Sequence, residues 1–120
     1  MADSLNSNID GRTLLMHAAF DGDLDRVLAL LSEGSDPNAR DAGGDTALMF
    51  AAMRGHFMIV KTLLAHGADP LERARNGWAA LRFAESRYHH EVAALLRQAE
   101  EKAYREAMRR IEAEMGGEVE

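Results

Sequence analysis

Gly11-Arg12-Thr13-Leu14-Leu15-Met16-His17-Ala18-Ala19 is matched 33 residues later by Gly44-Asp45-Thr46-Ala47-Leu48-Met49-Phe50-Ala51-Ala52, with six of nine positions identical. Self-similarity at such a period is the signature of a repeat architecture. The match runs on: Gly22 falls on Gly55, Val27 on Val60, Leu30-Leu31 on Leu63-Leu64, Gly34 on Gly67 and Asp36-Pro37 on Asp69-Pro70. A third copy begins at Gly77, with Leu81 and Ala84 in register. Its second half reads as one residue shorter, because Val92 lies 32 beyond Val60 and Leu95-Leu96 lie 32 beyond Leu63-Leu64.

Each unit reads as two short helices. Thr13 and Thr46 precede apolar residues at helical spacing and can accept bonds from free backbone N–H groups at a helix start. The alanine pairs Ala18-Ala19 and Ala51-Ala52 let helices approach closely. Gly22 and Gly55 break the chain, and a second apolar helix follows. Gly34 and Gly67 stop that helix, and Pro37 and Pro70 prevent its resumption. Asp41-Ala42-Gly43-Gly44 reads as a tight turn into the next unit. One unit cannot bury both of its apolar stripes, whereas stacked units can, so about three are needed for a stable fold.

A 33-residue unit of turn plus two helices, with a Thr-x-Leu-x-x-Ala-Ala core and a Gly-x-Asp-Pro exit, resembles the ankyrin repeat. The resemblance covers roughly residues 10–96. The family's Thr-Pro-Leu-His stands here as Thr13-Leu14-Leu15-Met16 and Thr46-Ala47-Leu48-Met49. The third copy departs further, with Ala79 for the threonine, Glu85 for the second alanine and Tyr88 for the mid-repeat glycine. The resemblance implies an all-α ankyrin-repeat solenoid of three helix-turn-helix repeats, with an extended C-terminal helix. We divide the chain into an N-terminal arm (1–9), three repeats (10–42, 43–75 and 76–96) and a charged C-terminal helix and tail (97–120).

Composition narrows the function classes. The 120 residues carry a net charge of −6, which disfavours nucleic acid as the main partner. No apolar run is long enough to cross a bilayer, and the N-terminus has no basic start followed by an apolar stretch. The expectation is a cytoplasmic chain with no membrane partner. There is no cysteine, which removes disulfides and thiolate metal ligands. Charge is uneven: residues 1–40 carry three basic and seven acidic side chains, residues 41–96 six of each, and residues 97–120 five and seven.

Beyond Leu96 the chain has no breaker until Gly116-Gly117, so a helix is expected to reach about Met115. Glu101 with Arg105, and Glu106 with Arg110, stand four apart with the acid first, the favourable order. Val92, Leu95, Leu96, Ala99 and Ala103 share one helix side. Tyr104, Met108, Ile111 and Met115 share another, turned by roughly a third of a revolution at ~100° per residue. The first stripe should pack on the repeats. The second needs a bend near Ala103 or another surface, either as a cap over the stack or as a helix that pairs with a partner or a copy of itself; the remaining reading is a solvated, partly frayed tail.

In the resembled family, partners meet the turn tips and the exposed side of each first helix. The resemblance places these at Asp10, Arg12, Phe20, Asp21, Gly43, Asp45, Met53, Arg54, Arg75, Asn76, Trp78, Ser86 and Arg87. Trp78 occupies the slot of Arg12 and Asp45, which marks that slot as exposed. We expect a partner-binding surface of Phe20, Met53 and Trp78 with Arg54, Arg75 and Arg87 around it. The competing reading is that Trp78 closes the irregular third repeat against the tail helix.

Other chemistry finds no support in the sequence. His17, His56, His66, His89 and His90 offer no zinc-helix spacing with a third ligand. Gly43-Gly44 lacks the lysine and serine of a phosphate loop, and no Gly-x-Ser-x-Gly elbow occurs. The sequence therefore points to a non-catalytic protein-binding module, adaptor or inhibitor, with no cofactor or metal, existing as a monomer or a weak dimer through its C-terminal helix. The alternative is a structural or assembly protein acting through Tyr104, Met108, Ile111 and Met115.

Overall fold

A computed structural model describes residues 11–119, side chains being described to Gly116. The expected arm at 1–9, and Asp10, lie outside the described residues. Among the described residues six helices follow one another: α1 (Leu14–Asp21), α2 (Leu24–Ser32), α3 (Ala47–Arg54), α4 (Phe57–Ala65), α5 (Ala80–Ser86) and α6 (His90–Val119). They form three helix pairs. The first helices α1, α3 and α5 stack as one layer, and α2, α4 and α6 as a second.

The threonines cap as their position requires. Thr13 Oγ1 accepts the Met16 N–H at 3.1 Å and Thr46 Oγ1 accepts the Met49 N–H at 3.3 Å. The two methionines answer in kind, each Sδ accepting the N–H of its threonine at 3.4 Å. Capping is thus reciprocal, with a thioether where a carboxylate or amide usually serves. Ala79 has no side-chain oxygen, and α5 starts without such a bond.

Close packing depends on the small residues. Ala18, Ala19, Ala51, Ala52 and Ala84 are sealed between the first helices, with Leu15, Leu48, Val27, Val60 and Leu63 filling the layer between helix pairs. The loops are stitched across repeats by Asn38, whose amide donates to the Gly67 carbonyl and accepts the Asp69 N–H. Arg40 pairs with Glu72 at 3.1 Å and donates to the Arg73 carbonyl.

Two expectations are corrected. The third repeat does not lose a residue: Val92, Ala93 and Leu96 are buried where Ile59, Val60 and Leu63 are buried, each 33 residues apart. Two histidines fix this register. His56 Nε2 bonds to the Phe20 carbonyl at 3.0 Å and His89 Nε2 to the Met53 carbonyl at 3.1 Å, the same bond one repeat on. Aligning Val92 on Val60 misleads because both are valines, whereas Val92 takes the place of Ile59. The last helix also passes through Gly116-Gly117 to Val119. Glycine weakens a helix but keeps its N–H, so the hydrogen-bond ladder can continue.

A candidate partner-binding face on the first helices

The connecting turns hold the tips of the repeats in one geometry. The Asp41 N–H donates to the Asp45 carbonyl at 3.0 Å, and the Ala74 N–H donates to the Trp78 carbonyl at 2.9 Å, 33 residues on. The Arg75 N–H donates to the Gly43 carbonyl at 3.0 Å, which joins the two tips. The Asp41 carboxylate is nearly sealed. It accepts the N–H groups of Gly43 and Asp45 and lies 3.5 Å from Arg12 Nε. Asp45 stands beside it, and its carboxyl is raised above the ordinary carboxylate range, first by burial and then by the charge of Asp41. Arg12 and Arg40 oppose that shift.

Along the exposed side of the first helices, arginines lie over aromatic rings. Arg12 sits 5.4 Å from the centre of the Phe50 ring, and Arg54 sits 4.6 Å from the centre of Phe20. Phe20 and Phe50 meet edge to face at 6.0 Å and 79°. These four side chains make one cluster that spans the first two repeats. In the third, Arg82 lies 5.1 Å from the Trp78 ring, which meets Phe83 edge to face at 5.2 Å. A guanidinium stacked this way turns its N–H edges sideways, where they can take a carboxylate in two parallel bonds.

Of the expected site residues, Arg12, Phe20 and Arg54 converge. Met53 is half-buried and packed on the core. Asp21, Arg75 and Arg87 are exposed, and Asp45 is half-buried. Trp78 makes its ring contacts in a second cluster, and a shallow groove beside it is lined by Arg73, Glu85 and, from α6, Glu100. Burial pushes the Glu100 carboxyl up, with Glu85 adding to the shift and Arg73 and Arg97 opposing it. Trp78 therefore both borders the tail helix and carries an arginine on its face.

Phe50, Phe83 and Arg82 escaped the sequence reading. Phe50 and Phe83 are 33 apart and share the slot of exposed His17, yet Phe50 itself is only 6% exposed and Phe83 is half-buried. Phe50 also lies four before Arg54 and three before Met53, on the same helix face. The expected second surface is exposed as well: Tyr104, Met108, Ile111 and Met115 are 47–58% exposed. Within the described residues these four do not fold back as a cap over the stack, since α6 runs on without a break and each is about half exposed.

Among the described residues, no group of three or more His, Cys, Asp or Glu converges as a metal site would require, and no helix is long and apolar enough to cross a membrane. The arrangement defines a helical repeat solenoid with arginines stacked on aromatic rings along its first helices. The family model for ankyrin repeats in three copies matches residues 15–106, and the chain belongs to that family. Ankyrin repeats are generally protein–protein interaction modules and are typically non-catalytic. A search of curated proteins returned no match.

Proposed function

We propose that this chain is a non-catalytic binding module that holds an acidic segment of another protein against its first-helix face. The observation that carries the reading is the set of three arginine-on-ring stacks, one reaching each of the rings Phe50, Phe20 and Trp78. The chain as a whole is acidic, at net −6. Yet Arg54 and Arg87 are exposed in one repeat slot, and Arg75 and Arg82 are exposed on either side of Trp78 in the sequence. Aromatic and arginine anchors dominate many interfaces. Basic anchors on an acidic protein select a partner that is acidic where it touches them, because like charge elsewhere repels other approaches.

Selection of displayed peptides on the immobilised full chain tests this. The expected outcome is enrichment of peptides with Asp or Glu next to an apolar residue, with binding lost in the Arg54→Glu, Arg82→Glu double variant. Enrichment of basic or uncharged peptides, or binding indifferent to the double variant, would overturn the reading.

A further inference from the structure

Beyond the stack, α6 carries four apolar side chains that the described residues of its own chain leave about half exposed. Tyr104, Met108, Ile111 and Met115 are each about half exposed, and they stand 4, 3 and 4 residues apart. That alternation is the seam of a two-helix coiled coil, in which apolar residues repeat every 3.5 positions on average. The residues flanking the seam differ between its two sides. On one side lie Arg105 and Glu112, seven residues apart and opposite in charge. On the other lie Ala107 and Glu114.

We propose that this segment pairs antiparallel with the same segment of a second copy of the chain. In that register Tyr104 packs on Met115 of the second copy and Met108 on its Ile111. The two-fold axis then sets Arg105 against Glu112 of the second copy, and the same pair recurs at the other end of the seam. Charges at these flanking positions choose partner and direction in coiled coils. Parallel pairing lacks this match. It would set Glu112 against Ala107, and the acid nearest Arg105 would be Glu100, which is half-buried on its own stack. Parallel pairing would also bring both repeat stacks to one level, since the stack flanks α6 as far as Glu106. Antiparallel pairing sends the stacks to opposite ends and leaves both first-helix faces open. The seam is short beside the surface a permanent dimer buries, so the pairing is concentration-dependent.

The full chain lacks cysteine, which makes a direct test simple. Sedimentation equilibrium should show the mass rising from that of one chain toward that of two as concentration increases. Tyr104→Cys and Met115→Cys variants, mixed and oxidised, should form the mixed disulfide in preference to either self-disulfide. Arg105→Glu should weaken association by about tenfold, since two symmetric pairs become repulsive. Adding Glu112→Arg to it should restore association. Ile111→Asp should abolish association while the chain melts as wild type, because the side chain is exposed. Self-disulfides in preference to the mixed one, no recovery on the second charge reversal, or a single-chain mass up to ~1 mM, the weak end of specific association, would each overturn the proposal.

Discussion

Gly22, Gly55 and Tyr88 hold one place in the three repeats, and all three have a positive φ, of 80°, 72° and 62°. Glycine takes this conformation freely, and at Gly55 it is needed twice over, because a Cβ would lie 2.5 Å from the His89 ring. Gly55→Ala should therefore destabilise by more than the ~1–2 kcal/mol of a left-handed side chain. Tyr88 bears that cost already, and at 78% exposed it has little packing to offset it. Tyr88→Gly should stabilise by about 1 kcal/mol. Urea denaturation of both variants checks the opposed signs. Asp45 gives a second residue-scale expectation. Its folded carboxyl is raised, so the fold binds its proton more tightly than the unfolded chain does. Stability is then lost as pH climbs from the ordinary 3.8 through the raised value. Asp45→Asn should match wild type near pH 3 and exceed it at pH 7, as read by denaturation at the two pH values. The threonine caps, the glycine breaks and the stop signals were legible in the sequence because each is local chemistry. Phe50 was not, because its neighbours Phe20 and Arg12 come from the preceding repeat and only stacking brings them to it.

At the scale of elements, α1 to α5 are short; α1 and α3 are bounded by a capping threonine and a left-handed glycine, and α5 has neither. α6 is different. Its first half is held by Val92, Ala93 and Leu96 in the core, and its second half is bounded by neither packing nor a stop. The sequence showed that the helix would overrun the repeat and that its apolar stripe would change face. It misplaced two things. Gly116-Gly117 reads as the helix end, yet weak propensity alone does not stop a long helix. The third repeat reads as one residue short because Val92 is identical to Val60, whereas the histidine bond to the preceding repeat fixes the true register. An element held only by its first half predicts the effect of truncation. Deleting residues 108–120 should leave the melting temperature close to that of the full chain, because the described side chains in that stretch are all exposed. Extending the deletion back to Val92 should abolish cooperative unfolding, which a thermal melt by circular dichroism would show.

For the whole molecule, three repeats make a stack in which only the central one has a neighbour on both sides, with α3 packed between α1 and α5. The fold was readable because its logic repeats: one unit understood explains most of the chain. The face was readable only in part, because repetition predicts which slots are exposed and leaves open which side chains meet across them. Two separate surfaces result, the arginine-bearing first-helix face and the seam of α6, and variants can remove one without touching the other. The most direct test of the central claim is retention of proteins from native lysate by three immobilised chains: wild type, Arg54→Glu with Arg82→Glu, and Ile111→Asp. The account predicts that a protein retained by wild type is lost by the double variant and kept by Ile111→Asp, all three melting alike. Retention of that protein by the double variant, with loss by Ile111→Asp, would contradict it and move partner binding to the tail helix.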